Sequence, residues 1–314
     1  MDPISTLSLR SVATLGIQTA EQTLNTDIEQ ADTGQKAADL KGYGQTAAQI
    51  TATQAVQSRI SAYLTAGTNL SSQLTVQDQT LQQVASAGGD ASKFISQALA
   101  AGDGTSLMTQ LQGVFSSAVS ALNTQFNGQY LYAGGTSNTA PVTAKNLADL
   151  TAAPSIASLF TNGSVQTVSR LDDNTQVTTG QLASTVGTPL FTALQSVEAY
   201  NQGPNGPFTG TLTPAQTTFL QGVVATFNAA QSGVTNIAAQ NGAVQAQLTT
   251  VTASLTDQQT TLKTSLSNLT DVDEAQAATN LQQAQSAFQA AAQVYSTLKS
   301  ASLLNYLSAS STGG

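Results

Sequence analysis

Val56-Gln-Ser-Arg-Ile60-Ser-Ala-Tyr63-Leu-Thr-Ala-Gly67-Thr-Asn-Leu70-Ser-Ser-Gln-Leu74-Thr-Val-Gln77-Asp-Gln-Thr-Leu81-Gln-Gln-Val84 is the stretch that decides the fold. Steps of four and three lead through Val56, Ile60, Tyr63, Leu70, Leu74, Leu81 and Val84, with Gly67 and Gln77 at the remaining positions. That spacing is a heptad seam of about four repeats. Gly88-Gly89 is read as the break that ends it. One seam cannot bury itself, so a second must exist elsewhere in the chain.

The second seam lies in the C-terminal half. Ile237, Val244, Leu248, Val251, Leu255, Leu262, Leu266 and Leu269 keep the same spacing. The phase slips around Asp271-Val-Asp273-Glu274 and resumes through Ala277, Leu281, Ala284, Phe288, Ala291, Tyr295 and Leu298. Such a slip marks a break between helices. Leu303 and Leu307 belong to an apolar finish, Ser302-Leu-Leu-Asn-Tyr-Leu307. Upstream of Val56, the residues Leu24, Ile28, Ala31, Gln35 and Ala38 are similarly spaced, with Gly42 and Gly44 marking a bend. Leu107 to Phe126 carries two apolar rows, so that helix should be covered from more than one side.

Between the helical halves, Gly134-Gly135, Pro141, Pro154 and Asn162-Gly163 punctuate short β-branched runs at 165–168 and 175–179. These read as a small strand-and-turn insert. Pro189 to Tyr200 returns to helical spacing, and Pro214 opens a further helix. The expected fold is mainly α: a long antiparallel coiled-coil bundle formed by both termini, with a small β-rich insert. The expected parts are 1–135 (N-terminal helical half), 136–181 (insert) and 182–314 (C-terminal helical half).

Composition narrows the function. The 314 residues include no Cys, His or Trp, and 9 Lys+Arg against 17 Asp+Glu give a net charge of −8. Thiolate and imidazole metal sites, disulfides and imidazole-activated nucleophiles are therefore excluded. Few cations argue against nucleic acid. No stretch approaches the ~20 apolar residues of a membrane span, so no membrane insertion is expected. The start, Met1-Asp-Pro-Ile-Ser-Thr-Leu-Ser-Leu-Arg10, does not read as a secretory signal peptide. Charged residues are 8% of the chain, against about 25% in an ordinary domain. Leu281 to Leu298 holds none. A helix so neutral on its outer face suits permanent cover by other protein better than exposure to water.

Catalytic candidates are thin. Asp172-Asp173, or Asp271, Asp273 and Glu274, have the chemistry to bind a hard cation or act as paired carboxylates. A turn acid and a helix-start cluster explain them as well. No catalytic, cofactor or metal site is assigned, and the expected chain is not an enzyme. A secreted coiled-coil adhesin, a phage-tail-like component and an enzyme using carboxylates alone are the readings from other classes.

Asn123-Thr-Gln-Phe126-Asn127-Gly128-Gln-Tyr130-Leu131-Tyr132-Ala-Gly134-Gly135 resembles the segment that, in the flagellin superfamily, closes the N-terminal helical region. Asp271 to Leu307 is similar to the family's C-terminal helix, and Ala31 to Leu40 to the short Thr-Gly segment after its first helix. The resemblance covers 1–135 and 182–307. The Arg-(Leu/Ile)-Ser-Ser-Gly and Asp-Asp-Ala-Ala-Gly segments usual in filament flagellin do not occur. Ser302–Leu307 and Ala239-Gln-Asn-Gly-Ala-Val-Gln-Ala-Gln-Leu248 look more like the superfamily's hook-associated branch. The resemblance implies a structural subunit without cofactors, exported through the flagellar type III channel. It implies as partners copies of the chain itself, other hook-associated proteins and flagellin, and an export chaperone on the C-terminal helix.

Overall fold

The computed structural model describes the backbone of residues 3–310 and the side chains of residues 8–300. Among them are seven α-helices: α1 (Pro3–Thr33), α2 (Ala47–Ala101), α3 (Leu107–Leu122), α4 (Leu147–Ala152), α5 (Ala183–Gln202), α6 (Pro214–Thr270) and α7 (Glu274–Ser310). Two antiparallel hairpins join them: β1 (Gln125–Phe126) with β2 (Gln129–Tyr130), and β3 (Val168–Arg170) with β4 (Gln176–Thr178). The fold is mainly α with long antiparallel helices from both ends of the chain, as the periodicity predicts.

Alanine and glutamine favour these helices, and their many Ser and Thr residues are accommodated in a specific way. Thr51, Thr53, Thr65, Thr68 and Thr75 each donate a hydroxyl to the carbonyl four residues earlier. Thr14, Thr19, Thr23, Thr26 and Thr33 do the same on α1. The hydroxyls that replace charge on these surfaces are thus absorbed by their own helix.

Helix ends follow local chemistry. Gly102 (φ +67°) closes α2: its N–H reaches Leu99 O, and Asp103 N–H reaches Ala98 O, which is the Schellman arrangement. Gly34 (φ +69°) ends α1 with a single bond to Gln30 O. At the start of α6, Thr213 Oγ1 accepts from Gln216 N–H while Gln216 Oε1 accepts from Thr213 N–H, a capping box ahead of Pro214.

Three sequence expectations are corrected. Gly88-Gly89 does not break α2, which continues to Ala101. A Cβ at Gly88 would lie 3.3 Å from Gln231 N and Cβ, and one at Gly89 2.8 Å from Gln231 Nε2. The pair admits α6 to close range, so its missing side chains serve packing rather than chain reversal. α5 begins at Ala183, ahead of Pro189, which lies exposed inside the helix. On α1 the half-buried face runs through Ala13, Ile17, Ala20 and Leu24, while Ile28 is 46% exposed and Ala31 is exposed. The assumed register was one residue off, and the helix stops before Gln35 and Ala38.

The chain divides into two compact units, Ile60–Asp257, and Met1–Arg59 together with Gln258–Gly314. The first is built on a large core. Leu81, Val84 and Ile95 of α2 meet Leu111, Phe115 and Leu122 of α3, Leu190, Phe191 and Leu194 of α5, and Leu220 and Phe227 of α6. The Phe191 ring lies 5.3 Å from that of Phe115 and 5.4 Å from that of Phe160. In the second unit α1 lies along α7. The two run antiparallel, with Gln35 bridged to Asp271 at one end and Arg10 beside Tyr295 and Lys299 at the other.

Candidate functional site

In the Ile60–Asp257 unit, α2 and α6 meet antiparallel. A Cβ at Gly67 would sit 3.5 Å from Leu248 Cδ1 and Thr252 Oγ1. The Leu74 carbonyl accepts from both Asn241 Nδ2 (3.0 Å) and Gln245 Nε2 (3.1 Å). Ile60, Leu70, Leu74, Leu81 and Val84 are buried on α2, as are Leu248 and Leu255 on α6, with Tyr63, Val244 and Val251 half-buried. Leu70, Leu74 and Leu248 form a cluster with Leu171 and Val177 of the second hairpin, and Val244 and Val251 pack against it. The sequence marks 165–168 and 175–179 as strand runs, but their packing against the α2–α6 seam depends on contacts remote in sequence and carries no local signal.

A polar layer interrupts this core. Gln77 is fully buried, and its side-chain amide has no hydrogen-bond partner within the protein. Its backbone carbonyl accepts from the Tyr132 hydroxyl at 3.0 Å, and Tyr132 Oη also meets Thr80 Oγ1 at 2.5 Å. Burial pushes the Tyr132 phenol well above its ordinary range, although the Thr80 hydrogen bond works against it. The phenol is therefore a neutral anchor that ties the segment after the first hairpin to α2.

The quoted motif explains how that anchor is delivered. Asn127 (φ +51°) and Gly128 (φ +77°) form the two-residue turn between β1 and β2, with both central residues left-handed, where Asn-Gly is favoured. Phe126 and Tyr130 are half-buried beside that turn, and Leu131 and Tyr132 are buried. Asn123 clamps the return of the chain: its Nδ2 donates to Val142 O and its Oδ1 accepts from Val142 N–H, both at 3.0 Å. At Gly134 (φ +59°) a Cβ would lie 2.8 Å from Val165 O. The motif is thus a folding joint with no reactive group in it.

The unit of paired termini is different in kind. Ala277 and Ala284 are buried on α7; Leu281, Phe288 and Leu298 are half-buried, and Tyr295 is 37% exposed. Val56 and Leu262 are half-buried. Leu303 and Leu307 lie outside the described side chains. An apolar groove of about 570 Å³ is lined by Val12, Leu15 and Gly16 of α1 with Ala284, Ala287 and Ala291 of α7. Leu9, Val12, Leu15 and Val294 stand more than half exposed.

The acidic candidates resolve into structural roles. Asp172 caps the turn of the second hairpin, accepting from Asn174 N–H (2.7 Å) and Thr175 N–H (2.6 Å). These bonds, the Asn174 one foremost, hold its carboxyl below the usual range. Asp173 accepts from the Tyr63 hydroxyl at 2.8 Å. Asp273 Oδ1 accepts from Ala275 N–H and Gln276 N–H, starting α7. Among the described residues no group of three or more Asp and Glu is arranged to hold a metal ion, and no helix is long and apolar enough to cross a membrane.

Residues 224–307 match the family model of the bacterial flagellin C-terminal helical region. No curated protein matches the chain. Among solved structures, a protein described as a flagellar hook-associated protein from Vibrio parahaemolyticus shares the fold at a TM-score of 0.58 and 13% identity, over 72% of this chain and 97% of that one. FlgL of Bacillus cereus does so at 0.53 and 17%, over 68% and 96%. The flagellin-superfamily resemblance read from the sequence is borne out by these matches.

Proposed function

We propose that the chain is a non-enzymatic structural subunit of the bacterial flagellum. Within that role it is the hook–filament junction subunit, of the kind called hook-associated protein 3. It leaves the cell by type III export and assembles outside through helix–helix contacts. The observation that carries this reading is the exposed apolar surface of the α1–α7 pair, within and beside the region matched to flagellin. Large apolar patches rimmed by neutral residues mark interaction sites. Leu9, Val12, Leu15 and Val294 are the exposed residues assigned to that contact, and the α7 seam of Leu281, Phe288, Tyr295, Leu298, Leu303 and Leu307 to helix pairing in the assembly. Val56 to Val84, with Val244 to Leu262, are assigned to helix–helix packing within the subunit. The partners are copies of the chain, other hook-associated proteins and flagellin, with an export chaperone covering the C-terminal helix beforehand.

Deleting the gene and imaging the cells tests this. Hooks that shed monomeric flagellin and carry no filament are the expected result. A filament that is shortened or lost while the junction remains intact would instead indicate filament flagellin. That second reading is favoured by the flagellin description of the matched region. Purified protein that grows alone into long filaments would also support it.

A further inference from the structure

No Gly or Pro occurs between Gly242 and Gly313, yet the helix stops at Thr270 and restarts at Glu274. Sharp helix interruptions normally have an identifiable local cause. Here local bonds of Asp271 and the Asp273 cap are joined by contacts from far along the chain. Lys36 N–H donates to Thr270 O at 2.7 Å, and Val272 N–H donates to Gly34 O at 2.9 Å. Lys36 Nζ donates to Asn268 O (2.8 Å) and Leu269 O (3.1 Å). The Asn268, Leu269 and Thr270 carbonyls are those that an uninterrupted helix would give to the amides of Val272, Asp273 and Glu274. The segment after α1 has taken all three acceptors and paired with the first of those amides. Backbone bonding is therefore nearly conserved between a broken and a continuous helix.

The break also resets the seam. Continuing the four-three steps from Leu269 would place apolar positions at 273, 276 and 280, whereas the α7 seam falls at Ala277, Leu281 and Ala284. The offset of one residue is a turn of about 100° on a straight helix.

We propose that the interruption at 271–273 is a two-state switch, held open by docking of Gly34–Lys36. Without that docking, α6 and α7 join into one helix, and the face carrying Leu281 turns away from α1. The end of α1 and the orientation of α7 are then coupled, so the termini close together or not at all.

The test uses the full chain and reads carbon-13 secondary shifts and amide exchange at Asp271, Val272 and Asp273. Lys36→Pro removes both the amide donor and the ammonium. The three shifts should reverse from extended to helical, and cross-relaxation between α1 and α7 should be lost. Lys36→Met, which removes the ammonium alone, should give a partial shift in the same direction, and it still reports should the proline variant fail to fold. Lys36→Arg should leave the break in place. Unchanged resonances for residues 60–257 confirm that the remainder is folded. The proposal is overturned if 271–273 stay non-helical in both Lys36→Pro and Lys36→Met. It is equally overturned if Asp273→Ala alone makes them helical, because the cap would then be the cause.

Discussion

The Ile60–Asp257 unit and the unit of paired termini are both helical, but different things fill the space between their helices. The first closes over Phe115, Phe191, Phe227 and a layer of leucines, all fully or almost fully out of water. The second buries only Ile50, Ala277 and Ala284 among its described apolar residues, keeps Ile17, Leu24, Leu281 and Phe288 half-buried, and leaves Leu9, Val12, Leu15 and Val294 on the outside. Burial of large side chains is what offsets chain entropy. The first unit buries most of the large apolar side chains. The second leaves apolar surface exposed.

The sharpest way to break this contrast is to empty the larger core. Phe191→Ala should cost about 3–5 kcal/mol, read as a lower urea midpoint, and Phe115→Ala a similar amount. A chain ended after Leu281 should keep the melting transition of the Ile60–Asp257 unit and fail to assemble; an assembly-competent truncation would refute the division of labour. Tyr132→Phe should cost about 1–2 kcal/mol, because the buried Gln77 carbonyl and Thr80 hydroxyl lose their partner. Val12→Ser with Leu15→Ser should change monomer stability by less than about 0.5 kcal/mol while abolishing assembly in sedimentation. The smallest effect concerns acid. The Ser267 hydroxyl, then that of Thr270, then the charge of Lys36 hold the Asp271 carboxyl below its usual range. A lowered carboxylate contributes stability above its unfolded pKa of about 3.9, and loses it as pH falls through the lower folded value. The protection factor of the Val272 amide should therefore be unchanged down to about pH 4 and fall only below it.

Legibility in the sequence followed the same contrast. The α7 spacing through Ala277, Leu281, Ala284 and Phe288 could be read in the sequence, and these positions are buried or half-buried, whereas Tyr295 of the same series is exposed. The α1 face could not. Ala13, Ala20 and Leu24 point inward while Leu9, Val12, Leu15 and Ile28 point out, so the larger apolar residues misstate the buried side. Gly88-Gly89 resembled a stop signal, since only the approach of Gln231 explains the pair and Gln231 is remote in sequence. The hairpin joint was visible as Asn127-Gly128, but its purpose, bringing Tyr132 to Gln77 and Thr80, depended on a contact 52 to 55 residues distant.

The threonines that bond to their own helix have one further consequence, for the medium in which the protein works. Surfaces held together by ion pairs weaken as dissolved salt shortens the Debye length, about 10 Å at 0.1 M. Here the outer face of α7 offers hydroxyls already occupied by backbone carbonyls, and little charge beyond Glu274 and Lys299. Such faces give ionic strength almost nothing to screen. An assembly built on them would hold equally in dilute water and in brine.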